Sequence, residues 1–199
     1  MTECCTLEVR SEKMRKALWI ALWINLIVFG GQLLAAIIAN SSALLADSID
    51  MIGDVMAYAI SLYAFNRGDK WVAKAALFKG IIIVVLASIV AVDASKKFFI
   101  IESIPSSSLM IIFSLIGLAA NGFCLWLLTT YREENLNMKS VWICSRNDIL
   151  VNLSVMLTAV LVYSFQSQWP DVIIGLSLAI ILLYSAYHII VIAINNLRH

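Results

Sequence analysis

Three stretches of this chain run for the thickness of a lipid bilayer without one Asp, Glu, Lys or Arg: Ala17–Ala39, Leu109–Tyr131 and Val172–Asn195. A helix that crosses the hydrocarbon core needs roughly 20 mostly apolar residues. Inside lipid a backbone must also satisfy its own hydrogen bonds, which a continuous run of that length does as a helix. Three further stretches are nearly as apolar but carry ionisable residues. They are Ala43–Phe65 with Asp47, Asp50 and Asp54, Ala75–Val92 with Lys79, and Val141–Phe165 with Arg146 and Asp148. Of the 199 residues, 62% are hydrophobic and 14% charged, too few charges to coat a water-soluble globule. The expected fold is an all-α integral membrane protein of six transmembrane helices, with no soluble domain.

Charge distribution orients these helices. Six spans place both termini on one side, and that side then carries Arg10, Lys13, Arg15, Lys16, Arg67, Lys70, Lys74, Arg132, Lys139 and Arg198. The other side holds only Lys96 and Lys97. By the positive-inside rule the chain is N-in and C-in. Residues 1–16 form a cytoplasmic tail, 17–195 the transmembrane domain and 196–199 a short cytoplasmic C-terminus. Ala17–Ala39 reads as a permanent first span rather than a secretory leader, since it exceeds the roughly 7–15 residues of a signal-peptide core. Lys79 and Arg146 lie near the inner ends of their spans, where long cationic side chains snorkel to the interface. A net charge of +1 with no basic stripe excludes a nucleic-acid partner. The four cysteines, Cys4, Cys5, Cys124 and Cys144, make neither a disulfide framework nor a CxxC pair.

Carboxylates within a span are costly and mark function. At about 100° per residue, Asp47, Asp50 and Asp54 fall on one narrow face of the second span. Asp54 lies roughly 15 Å below the start of that span, near the bilayer midplane. Asp50 and Asp54 form a D-x-x-x-D pair whose like charges meet across one turn, so they hold a cation or a proton. In the fifth span Cys144 and Asp148 have the same spacing. If spans 2 and 5 touch, Asp50, Asp54, Cys144 and Asp148 converge as three carboxylates and a thiol, a donor set suited to a divalent transition metal.

Around this set, Asp47, Asn121, Asn147, Cys4 and Cys5 are accessory candidates. Asp47 has an equally good explanation as a residue that hydrates or caps the outer end of its helix. Asn25 and Gln32 read as interhelical hydrogen-bonding residues, and Cys124 as a small apolar residue. His188 reads as packing or a hydrogen-bond donor rather than a ligand.

The segment from Ser42 to Asp54, S-A-L-L-A-D-S-I-D-M-I-G-D, resembles the second-span signature of the cation diffusion facilitator family of metal-ion/proton antiporters. Cys144-Ser-Arg-Asn-Asp148 is similar in spacing to that family's fifth-span motif, with Cys144 in place of the usual His or Asp. Asn121 and the Tyr131–Trp142 stretch also resemble the family pattern, so the likeness extends over all six spans. It implies a transporter rather than an enzyme, with no cofactor, working by alternating access: metal loads from the cytoplasm and is exchanged outside for protons. The thiol puts Zn²⁺ and Cd²⁺ first as substrates, with Co²⁺, Ni²⁺, Fe²⁺ and Mn²⁺ behind. Family members commonly end in a cytoplasmic domain that supports dimerisation. The expectation here is a homodimer held through transmembrane helices, surrounded by lipid, in the inner membrane of a bacterium. Two other readings remain: a metal-binding partner or sensor that does not transport, and a Mg²⁺-dependent lipid transferase. The second lacks basic residues beside the aspartates to receive phosphate.

Overall fold

The computed structural model describes residues 12–63, 69–100, 103–129 and 136–198. The chain runs through six helices, α1 (Glu12–Ala39), α2 (Ser42–Tyr63), α3 (Asp69–Phe99), α4 (Ser107–Thr129), α5 (Leu136–Phe165) and α6 (Trp169–Arg198), with no strand among the described residues. Five of them are long and apolar enough to cross a membrane, and α2, with its three aspartates, is the sixth. Large apolar side chains face outward, among them Ile27 at 71% exposure, Ile38 at 74% and Trp126 at 68%. Such a surface is stable only against lipid.

The helices overrun the predicted spans. α3 continues to Phe99, so Lys96 and Lys97 belong to its last turn rather than to a loop. α6 continues to Arg198, so no break separates residues 196–198 from the transmembrane domain. The reason is local: no Gly or Pro lies within 93–99 or 196–198, and a helix continues past the hydrocarbon until its hydrogen-bond ladder is broken.

One break is sharp. α1 ends at Ala39, and Asn40 takes the left-handed conformation at φ 52°. The Ser41 amide then donates to the Ala36 carbonyl at 3.0 Å and the Asn40 amide to that of Ile37 at 3.2 Å. This pairing satisfies the orphaned carbonyls of a helix end, and Asn tolerates the conformation better than other residues with a Cβ. The reversal brings α2 back against α1, α3 and α6, while α4 packs on α1 and α5.

Two apolar clusters divide the interior along the bundle axis. One, at the α1–α2 turn, joins Leu44, Ile49, Ile83, Met110, Val155 and Ala179. The other, at the opposite end, joins Leu18, Leu22, Val55, Tyr58, Cys124 and Leu128. Asp50 and Asp54 sit on the α2 segment between Ile49 and Val55. The turn-bearing end is the one the charge bias assigns to the outside, and it is called the outer end below.

α6 crosses α2 closely at Gly175. A Cβ there would stand 2.7 Å from Ser42 Cβ and 2.9 Å from the Ala43 backbone nitrogen, contacts that backbone cannot yield. Gly175→Ala is expected to cost about 1–3 kcal/mol through overpacking. Thermal unfolding in detergent would read this as a lower midpoint, and an unchanged midpoint would show that the crossing is not tight.

Candidate metal centre

The contact between spans 2 and 5 on which the predicted site depends is made: α2 packs on α5. Asp148 is buried, at 8% exposure. Asp54 is half-buried on α2, and its carboxyl lies within hydrogen-bonding reach of that of Asp148. Two carboxylates cannot share that position both charged and both dry. Either a proton or a cation must stand between them. Asp50, half-buried one turn toward the outer end, interacts electrostatically with both Asp54 and Asp148. Among the described residues, no three His, Cys, Asp or Glu close around one point. Asp54 and Asp148 touch, and Asp50 stands apart.

Of the other predicted ligands, Cys144 lies on α5 four residues before Asp148, but its side chain falls outside the described residues, as does that of Arg146. Cys4 and Cys5 also fall outside them. Asn147 is half-buried on α5. Asn121 is buried on the face of α4 that also carries Ser114, Gly117 and Cys124.

Asp47 neither caps nor hydrates the outer end of α2. It is buried at 1% exposure and accepts a short hydrogen bond from the Gln32 amide nitrogen on α1. The cap is made instead by Ser41, whose hydroxyl accepts from the Leu44 amide at 3.1 Å, and by Asp171 of α6. The Asp171 carboxylate accepts from the Ser42 amide at 2.7 Å, the Ala43 amide at 3.2 Å and the Ser41 hydroxyl at 2.6 Å. A carboxylate at an N-terminus suits the orphaned amides and the helix dipole. From the sequence Asp171 is only a polar residue in a turn. Its role comes from the α2–α6 crossing, which no local spacing reveals.

Lys79 is the second correction. Rather than snorkelling to the interface, it is buried at 6% exposure, and its charge acts on both Asp50 and Asp54. α3 lies against α2, so the two carboxylates offer a nearer countercharge than bulk water. A signal was present: Lys79 lies almost three turns into α3, deep for a snorkelling lysine.

The residues read as structural behave so. Asn25 donates to the Ala21 carbonyl at 3.0 Å and reaches Cys124 Sγ at 3.5 Å. His188 meets Tyr184 edge-on at 4.7 Å between ring centroids.

The chain has counterparts among known proteins. The family model for the cation efflux transmembrane domain matches residues 18–197. The cadmium, cobalt and zinc/H(+)-K(+) antiporter of Bacillus velezensis is 25% identical over 172 residues, covering 79% of this chain and 55% of that protein. The zinc transporter ZitB of Yersinia pestis is 24% identical over 188 residues, covering 88% of this chain and 60% of its own length. The chain thus spans a little over half the length of these curated relatives. Since the family match extends over nearly all of the bundle that carries the aspartates, the chain belongs to the cation diffusion facilitators through its cation efflux transmembrane domain.

Proposed function

We propose that this chain exports divalent transition-metal cations, Zn²⁺ and Cd²⁺ foremost, in exchange for protons at an intramembrane site between α2 and α5. The observation that carries this reading is the Asp54–Asp148 carboxyl pair, in contact within an apolar bundle. A site that holds either protons or a cation in one place meets the minimum requirement of an antiporter, because binding one releases the other. Asp50 and Cys144 complete the ligand set in this reading, with Asp47, Asn121 and Asn147 nearby. The partial exposure of Asp50 and Asp54 leaves a route by which an ion can reach them. Lys79 supplies a positive charge that tempers Asp50 and Asp54 while no metal is bound. The names of the antiporter and zinc-transporter relatives support the choice of substrate. The metal is cargo, no cofactor is invoked, and the working unit is a pair of chains packed through transmembrane helices in a bacterial inner membrane.

The test is metal-driven proton flux in proteoliposomes enclosing a pH dye, with Zn²⁺, Cd²⁺, Mn²⁺ and Mg²⁺ supplied in turn. Zn²⁺- or Cd²⁺-dependent flux supports the antiporter. Tight metal binding without flux would replace it with a non-transporting partner or sensor. Cys144→Ser is expected to lower Cd²⁺ flux more than Zn²⁺ flux, since replacing a thiol by a hydroxyl removes the softest ligand. An unchanged ratio of the two fluxes would remove Cys144 from the site.

A further inference from the structure

We propose that Asp47, Gln32 and Asn152, with Ser114 one turn from Gly117 on the same buried face of α4, form a second cation station made only of oxygen ligands, on the outer side of the Asp54–Asp148 pair. Four elements contribute: Gln32 comes from α1, Asp47 from α2, Ser114 from α4 and Asn152 from α5. All four residues are buried, at 0%, 1%, 1% and 1% exposure respectively. Asn152 stands one turn outward from Asp148 and donates its amide to the Asp148 backbone carbonyl at 2.9 Å, which leaves its side-chain oxygen free to point elsewhere. That oxygen lies against the bare Cα of Gly117, in the space a Cβ would fill, and the Gln32 side-chain nitrogen lies beside the same space. Gln32 in turn donates to Asp47, so the three side chains meet in one place.

The inventory of this place is unbalanced. The Gln32, Asn152 and Ser114 side-chain oxygens have no hydrogen-bond partner among the described residues. Each orphaned buried acceptor costs roughly 1–3 kcal/mol. An apolar core would be cheaper than three such oxygens and a buried carboxylate whose hydrogen-bond donor is a neutral amide. Acceptors in excess near one buried carboxylate suit a cation, toward which the Gln32 amide presents its oxygen once it turns about its last torsion. Carboxylate, amide and hydroxyl oxygens without sulfur or imidazole favour hard, partly hydrated divalent ions and hold softer ones weakly. A weak station one step beyond a tighter one is what an ion leaving toward the outer end needs, because it exchanges ligands stepwise instead of crossing dry protein. That role in passage rests on the transport reading, whereas the binding of an ion does not.

Mn²⁺ is the probe, because it suits oxygen ligands and its free and bound forms separate by electron paramagnetic resonance. The detergent-solubilised chain is titrated to millimolar Mn²⁺. The wild type is expected to bind a tighter and a weaker ion. Asp54→Asn should lose the tighter ion and keep the weaker. Asp47→Asn preserves the shape and the Gln32 bond, and should weaken only the second ion, by roughly tenfold or more on loss of the charged ligand. Asn152→Ala provides the same check if Asp47→Asn does not fold. A single ion lost with Asp54→Asn and untouched by Asp47→Asn or Asn152→Ala overturns the station while leaving the α2–α5 site standing. An ion kept in Asp54→Asn and lost in Asp47→Asn supports the station and removes the α2–α5 site. No bound ion in any form overturns the station, leaving the orphaned oxygens to buried water, while the Zn²⁺ and Cd²⁺ site is judged separately by the flux assay.

Discussion

Alanine at Asp54 is expected to abolish metal-dependent proton flux while the protein still inserts, folds and elutes as the wild type does. The carboxyl of Asp54 lies against that of Asp148, and Asp54 sits on α2 between the two apolar clusters of the bundle. A divalent cation entering such a place must exchange its hydration for protein ligands, and removal of one charged ligand from so small a set leaves its charge uncompensated. Folding responds differently from transport. Truncating Asp54 removes a group that is held in the dry bundle only by sharing a proton or a cation with Asp148, so it leaves less charge to bury and orphans no ion pair. Lys79 retains Asp50 as a countercharge in the variant. Asp148→Ala should behave in the same way, whereas Asp54→Asn separates charge from shape: it keeps a hydrogen bond to Asp148 and should still lose flux. The measurement is dye-reported flux at matched protein density, with gel filtration as the folding control. Wild-type flux from either alanine variant would remove the pair from the mechanism.

Asp171→Ala is expected to give the largest loss of stability. One carboxylate accepts two backbone amides and a hydroxyl at the start of α2, and all of these groups are buried. Beside it, Ser42 donates to Asp93 at 2.6 Å, Lys97 pairs with Asp93 at 2.8 Å, and Lys97 also donates to the Asn40 carbonyl at 3.2 Å. Gln168 donates to the Lys97 carbonyl at 2.9 Å. The outer ends of α1, α2, α3 and α6 are thus tied by one network around the first turn of α2. Deleting Asp171 orphans the Ser42 and Ala43 amides and removes a negative charge that balances Lys97. Helix caps contribute about 1 kcal/mol and hydrogen bonds to charged groups roughly 1.5–3 each, so a loss of about 2–4 kcal/mol is expected. Asp171→Asn keeps acceptor capacity and should fall between alanine and wild type. Thermal unfolding in detergent reads both, and equal midpoints for all three forms would show that the network contributes nothing.

The six helices were legible because bilayer thickness, hydropathy and the bias of Lys and Arg act along the chain itself. The aspartate face of α2 was legible for the same reason: at helical spacing Asp47, Asp50 and Asp54 share a side whatever they pack against. Asp148 was legible as a carboxylate within a span. What those residues touch was not. Asp47 reads equally well as a cap or a ligand until Gln32 is found opposite it, and Asp171 is a turn residue until α6 crosses α2 at Gly175. Lys79 is an interfacial lysine until α3 lies against the aspartates. Local periodicity, apolarity and charge are properties of one segment and survive translation into a fold. Which buried charge meets which partner depends on the approach of two helices distant in sequence, and a low-dielectric interior makes that meeting decide each group's role. The sequence alone therefore determined the membrane, the helices and the acidic face, and the tertiary structure alone decided which partner each buried acid meets.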